Sequence, residues 1–426
     1  MFDYIRSNSD RYVEALRELI RIPSVTSDVG ACHAAADFLA QQARQAGLQP
    51  RLDTDVTPAP IVFVRVAPEK RLPALVGYAH YDVKPAGDER EWRHDPWSGA
   101  VEAGRRFGRG VVDNKSGCLA FVFSAEACLK TVGVPVDLRL VMEGEEEAGS
   151  AHLENWALTH AGDVEGAHGL FCLDGSVNEV SQLPRVDLFG RGILYVELSV
   201  QTADADVHSS RSMLPHNAAW RLSQALHTIK DVSTDRVIIP GWADELMEVT
   251  ENDWDYFRER MAHFDWEAIR RQYGLRLEGY PGGRSGLDLI RAYCIEPSCT
   301  ICGFWSGNIE PGVMMTIVPC RASAKLDFRC PPNLQPEVQL QKLRRHLDSA
   351  GFSDVEIRTL SARGHTWHTN HRAVVVRAIK QAGLDVFGQA RVQPNGLPTQ
   401  EGVFYELIQT FAARTWRRLI IAKAIW

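Results

Sequence analysis

Apolar residues recur at helical spacing near the start of the chain. Tyr12, Val13, Leu16, Leu19 and Ile20 share one face, and Pro23 closes the helix they predict. A second helix is predicted from about Cys32 to Ala46, with Gly47 placed as its C-terminal stop. The pattern then shortens to compact apolar runs: Ala74–Ala79, Leu138–Met142 broken only by Arg139, and Leu170–Leu173. Such runs read as strands buried on both faces, in a sheet sandwiched between helices. Each run ends at an acidic residue or a histidine. Open α/β sheets bind ligands beyond the carboxyl ends of their strands, so those polar residues become site candidates.

From Gly192 the pattern alternates. Leu194, Val196, Leu198 and Val200 are apolar, with Tyr195, Glu197 and Ser199 between them, as in half-exposed antiparallel strands. A helix is expected from about Asn217 to Ile229. A later strand alternates Ala322, Ala324, Leu326 and Phe328 with Ser323, Lys325, Asp327 and Arg329. These alternating strands are expected to offer an exposed sheet edge for a homodimer. After Val355–Ile357 the helical period returns at His371–Ala382. The fold class expected is therefore α/β: a mixed, mostly parallel sheet flanked by helices, with an α+β unit inserted into it. The expected boundaries are 1–188 and 362–426 for the first unit and 189–361 for the insertion. The stretch from about Asp231 to Pro297 reads as an elaboration of that insertion.

Composition narrows the function. At 426 residues, 45% hydrophobic and 24% charged, the chain can bury large cores and suits two domains. Its net charge of −7 comes from interspersed residues with no basic, aromatic-studded face, which argues against nucleic acid and for a small-molecule or peptide substrate. The N-terminal segment is charged where a signal peptide is apolar, and no run approaches about 18 apolar residues. A cytoplasmic protein without a membrane span is expected. Nine cysteines, an odd number, suggest reduced thiols. Cys299 and Cys302 form a lone CxxC inside an apolar stretch and read as packed core, because structural zinc needs about four ligands.

The candidate chemistry lies at the strand ends. His80 and Asp82 stand two residues apart after a buried strand, so the carboxylate can orient the imidazole. Gly108–Gly117 follows, with Asp113 just before a predicted apolar helix from Cys118 to Leu129, where it could equally be an N-terminal cap. Glu145, Glu146 and Glu147 are consecutive at the end of another strand. They repel one another unless a cation or other partners intervene. Asp174 follows the strand Leu170–Leu173. One histidine and several carboxylates at the ends of one sheet suit two divalent metals sharing a carboxylate.

The segments AHYDVKPAG, FGRGVVDNKSG, MEGEEEAGS and CLDG, in this order, resemble the dinuclear zinc metallopeptidases that include carnosinase, glutamate carboxypeptidase, aminoacylase and acetylornithine deacetylase. The wording is most similar to the carnosinase-like dipeptidases. The resemblance implies that His80, Asp113 and Asp174 form one metal site, with Asp113 bridging to a second that includes Glu147. It makes Glu146 the general base and Asp82 the supporting carboxylate. Two divalent ions are implied, zinc or else manganese or cobalt. His208, in Asp206–Ser209, matches the histidine that reaches across a homodimer to polarise the scissile carbonyl. Arg329 matches the arginine that grips a substrate carboxylate, a task suited to a guanidinium; read alone, it is an ordinary edge-strand charge.

The C-terminus departs from that pattern. Only Asn395–Pro398 echoes the family's Gly-Gly-Ser/Thr motif, the likeness stops after Phe404–Ile408, and no histidine follows His371 to supply the final ligand. His365 and His368 are remote substitutes. The tail Arg414–Trp426 reads as a membrane or partner helix or as an altered reading frame. The expected activity is cleavage of an amide bond in dipeptides or small peptides. The competing readings are an N-acyl-amino-acid deacylase and a catalytically impaired or non-catalytic protein with a weak second metal site.

Overall fold

The computed structural model describes residues 1–66, 72–174, 185–262, 266–363, 366–387, 391–393 and 420–425. They form two compact units. One comprises Met1–Leu188 and the described residues from Thr369 onward, and the other Phe189–His368.

Along the chain the first unit contributes α1 (Ser9–Ile20), α2 (Val29–Gln45), β1 (Pro50–Asp53), β2 (Ile61–Val66), β3 (Ala74–His80), α3 (Lys115–Thr131), β4 (Asp137–Glu143), β5 (Gly169–Leu173) and β6 (Arg185–Asp187). The second contributes β7 (Gly192–Gln201), α4 (Ala218–Ile229), α5 (Glu251–Ala262), α6 (Gly286–Ile295), β8 (Ser298–Ser306), β9 (Arg321–Cys330), α7 (Pro336–Ser349) and β10 (Glu356–Arg363). The chain then returns through α8 (Val374–Phe387), β11 (Arg391–Gln393) and β12 (Ile420–Ile425).

The first sheet has the order β1-β2-β4-β3-β5-β12-β6-β11. Strand β3 runs parallel to both β4 and β5. The carboxyl ends of these three strands therefore lie side by side, bringing together His80, Glu143 and the residue after Leu173. The mixed α/β architecture read from the sequence is the one observed. Helices α1, α2 and α3 close one face of the sheet through Leu19, Ala36, Leu39, Phe121 and Val122, packed with Val62, Val64, Leu140 and Met142. Local signals set the helix ends. Asp28 Oδ1 accepts the Ala31 N–H at 3.0 Å and caps α2, a bond worth about 1 kcal/mol. Gly47 ends that helix with φ +82°, a left-handed conformation favoured by glycine.

Helix α3 starts three residues before the expected Cys118, because Lys115 is a core residue. Its Nζ donates to the carbonyls of Leu19, at 3.0 Å, and Ile22, at and just beyond the end of α1. Burial pulls this amine down to about 7. Asp113 does not cap the helix: Asn114 holds the N-cap position and makes no side-chain capping bond.

The second unit is a four-stranded antiparallel sheet, β8-β9-β7-β10. One face packs Leu194, Val196, Leu198, Ala324, Leu326 and Phe328 against α4 and α7. Three sequence readings change here. Arg329 is not an edge-strand charge, because β9 lies between β8 and β7. The alternating strands β7 and β9 do not supply the sheet edge either; β8 and β10 do. Cys299 is buried, but Cys302 is exposed and is not packed core, since it falls in the register shift between Ile301 and Gly303 of the edge strand β8.

Asn395–Pro398, Phe404–Ile408 and His365 lie outside the described residues. Of the tail, Ile420–Ile425 is described, and it pairs as a strand parallel to β5 and antiparallel to β6 instead of forming a helix. No described helix is long and apolar enough to cross a membrane.

Candidate metal centre

The apolar run of β3 ends at His80, whose side chain is fully buried. Its Nε2 faces Asp113 Oδ1 at 2.9 Å and Asp174 Oδ1 at 3.7 Å. One ligand atom from each of these three residues lies within 4.8 Å of the other two. Glu146 Oε2 stands 3.8 Å from the same nitrogen. Burial, the largest single influence on His80, pushes its pKa down. Hydrogen bonds to Asp113, Asp174 and Asp82 together outweigh it and hold the imidazole well above its ordinary value.

Asp82 organises the cluster from beneath. Its side chain is fully buried and its Oδ1 lies 3.2 Å from His80 Nδ1. The same carboxylate accepts the main-chain N–H of Glu146 at 3.1 Å, the N–H of Glu147 at 3.0 Å and the Thr26 hydroxyl at 2.7 Å. It thus turns Nε2 toward Asp113 and pins the glutamate loop to the histidine strand. Supporting carboxylates behind metal-ligating imidazoles act in this way.

The three consecutive glutamates separate by their partners. Glu145 is turned away, accepting from Thr57 Oγ1 at 2.9 Å and meeting His152 Nδ1 at 2.8 Å. Glu146 points to His80. Glu147 has its pKa raised, first by burial and then by the Asp113 carboxylate, although Lys84 Nζ lies 3.4 Å from its Oε2. Lys84 also donates to the Glu147 carbonyl. Two carboxylates that repel each other at the mouth of an acidic cluster gain from a shared cation.

Sequence reasoning assigned no role to Thr26 or Lys84. Lys84 lies inside the AHYDVKPAG segment and could have been singled out there. Thr26 has no local signal: it is 56 positions from the carboxylate it meets. Asp113 is placed by the turn before α3, where Asn114 Nδ2 donates to the Leu173 carbonyl and the Asp113–Asn114 peptide is cis. This closeness requires Gly117, since a Cβ there would stand 2.1 Å from Asn114 Oδ1 and 2.6 Å from the Leu173 carbonyl oxygen. Gly117→Ala is expected to cost about 1–3 kcal/mol through overpacking, read as a lower urea midpoint, and to weaken metal retention by displacing Asp113. An unchanged midpoint would mean that the turn yields freely.

His208 and Arg329 belong to the second unit. The exposed His208 accepts the Ser210 main-chain N–H at Nδ1, 3.2 Å away, which leaves Nε2 to face Thr316 Oγ1 at 3.1 Å. Arg329 Nη2 donates to Asp327 Oδ2 at 2.9 Å. His368 is no spare metal ligand, since its Nε2 pairs with Asp253 Oδ1 at 3.0 Å within the second unit.

The residues of the first unit fit a divalent cation. An imidazole nitrogen and carboxylate oxygens are donors that zinc or manganese accepts, and they surround one point at the strand ends of a mixed α/β sheet. Fold and donor set together define the class: a metallohydrolase built at the carboxyl edge of an α/β sheet. The chain belongs to peptidase family M20/M25/M40, whose profile matches residues 76–413. The Beta-Ala-His dipeptidase of Rattus norvegicus is 24% identical over 411 residues, 91% of this chain and 82% of its own. The Cys-Gly metallodipeptidase dug1 of Schizosaccharomyces pombe is 25% identical over 363 residues, 82% of this chain and 75% of its own. Among solved structures, the M20 family metallo-carboxypeptidase Sso-CP2 from Sulfolobus solfataricus superposes with a TM-score of 0.78 at 28% identity, covering 97% of this chain and 90% of its own.

Proposed function

We propose that this chain hydrolyses an amide bond in dipeptides or small peptides, as a metal-dependent dipeptidase or exopeptidase. The observation that carries this reading is the meeting of His80, Asp113 and Asp174 at one point, with Glu146 beside them and Asp82 behind. Likeness to two dipeptidases over most of the chain supports a dipeptide as the substrate.

In this proposal His80, Asp113 and Asp174 hold one cation, and Asp113 with Glu147 holds the other. Bound there, the ions supply Lewis acidity that lowers the pKa of water and polarises a carbonyl. Glu146 accepts the proton of the attacking water and returns it to the leaving amine. Asp82 keeps His80 in the tautomer that leaves Nε2 free to ligate. His208 donates a hydrogen bond from Nε2 to the carbonyl oxygen where negative charge develops, once Thr316 releases it. Arg329 meets the substrate's carboxylate. The second unit acts as lid and homodimer surface, a point that light scattering checks; a monomer with full activity would remove His208 from the scheme.

A substrate panel tests the reaction. Unblocked dipeptides are expected to be cleaved faster than acetyl, succinyl or carbamoyl amino acids, and the reverse order would make the chain a deacylase. Metal analysis after dialysis tests the cations. The first set has an imidazole and two carboxylates, whereas among the described residues the second has only Glu147 and the shared Asp113. One retained equivalent per chain is expected, with turnover that rises on adding metal. Two retained equivalents with high turnover would require a further ligand. Binding displaces the proton that His80 holds, so affinity is expected to fall as pH is lowered.

A further inference from the structure

The reaction proposed above gives Lys84 no task, although this residue stands at the metal centre. Its Nζ donates to the Glu147 main-chain carbonyl and lies 3.4 Å from Glu147 Oε2. The main chain is fixed on both sides of this contact. Pro85 follows Lys84 and favours an extended backbone there. The preceding Val83 donates its N–H to the Ser24 carbonyl at 2.9 Å and pairs with Val25 in a parallel bridge. Glu147 is held by its own N–H, which donates to Asp82 Oδ2 at 3.0 Å. The ammonium therefore meets two acceptors of one residue, although the lysine side chain itself is exposed.

Glu147 and Asp113 are the carboxylates assigned to the second cation. Among the described residues, neither pairs with any other lysine or arginine. The Glu147 side chain is only 14% exposed, so water serves its charge poorly and the ammonium answers it. A divalent ion brought to the same carboxylate meets a positive charge already in place. Like charges a few ångströms apart repel even where water screens them, and the repulsion doubles for a divalent ion. The first cation is placed differently. Its ligands His80, Asp113 and Asp174 gather around His80 Nε2, and among the described residues Lys84 pairs with none of them.

We propose that Lys84 is an internal competitor for the second cation. Its ammonium holds Glu147 until the metal concentration is high enough to displace it, so the centre fills in two separate steps. Once displaced, the exposed side chain turns into solvent, and the main chain need not move. The existence of a second cation rests on the function proposed above; the competition concerns binding alone and is read without turnover.

Calorimetric titration of the metal-stripped full chain with Mn²⁺ tests this. Electron paramagnetic resonance gives a second readout, because two Mn²⁺ ions bridged by Asp113 couple magnetically and a single ion does not. Wild type is expected to bind one equivalent tightly and a second weakly. Lys84→Met is expected to tighten the second by roughly tenfold or more and to change the first by less than about twofold, with the coupled signal appearing at correspondingly lower Mn²⁺. Lys84→Gln serves if the methionine variant does not fold. Lys84→Arg keeps the charge and is expected to keep the second equivalent weak. A lysine that merely braced the glutamate loop would give the opposite result, since its removal would weaken metal binding. A second equivalent no tighter in Lys84→Met than in wild type, including one that binds in neither, would overturn the proposal. Equal tightening in Lys84→Arg would overturn it too, by tracing the effect to space instead of charge. Absence of hydrolysis would count against the proposed reaction and leave the titration standing.

Discussion

Glu146→Gln is expected to keep the full complement of bound metal while kcat falls by roughly 10²–10⁴-fold, the usual contribution of a positioned acid–base group. The substitution preserves shape and main chain, so Asp82 still accepts the loop N–H groups of residues 146 and 147. What it removes is a carboxylate that can take a proton 3.8 Å from His80 Nε2. The necessary control is Glu147→Ala, which is expected to lose metal because its carboxylate, raised first by burial and then by Asp113, is the one proposed to share an ion with Asp113. Metal content by plasma emission and initial rates on a dipeptide decide the matter. Equal metal loss in both variants would sink the division of labour between these neighbours.

Asp82→Ala is expected to have the largest combined effect on stability and metal binding. A fully buried carboxylate that holds an imidazole, two amides and a hydroxyl would be replaced by a methyl group. Each buried donor left without an acceptor costs about 1–3 kcal/mol, so the urea midpoint should drop markedly. His80 would also lose the partner that sets its ring orientation, and metal affinity is expected to fall by roughly 10–100-fold. Asp82→Asn keeps the volume but presents an NH₂ group to donors, and is expected to lie between wild type and Asp82→Ala on both measures. Wild-type metal affinity in Asp82→Ala would mean that Asp82 does not orient His80.

Much of the first unit was legible in the order of residues, for a local reason. A strand buried on both faces must be apolar throughout, so its run ends where the chain reaches the sheet edge, and the residues found there are His80, Glu143 and Asp174. Some helix ends were legible for the same kind of reason, since capping depends on neighbours in the chain: Gly47 and Asn217 act within a few residues of themselves, whereas the Asp28 cap, ahead of the expected start at Cys32, was not read.

Other features depended on contacts between distant segments, and no local pattern could carry them. Which of Glu145, Glu146 and Glu147 turns away from the cluster is decided by Thr57 and His152, 88 and 7 positions from Glu145. Thr26 braces Asp82 from 56 positions away, and Lys115 is a core residue only because the carbonyls at the end of α1 are there to receive it. The interior position of Arg329 follows from strand order, as does the insertion of β12 between β5 and β6, and the exposure of Cys302 from a register shift against β9. By itself the sequence determined which residues stand at strand and helix ends, because apolar periodicity and capping act over a few residues. The tertiary structure alone decided which of those residues face one another, because side-chain partnership is set by strand order and packing across the whole chain.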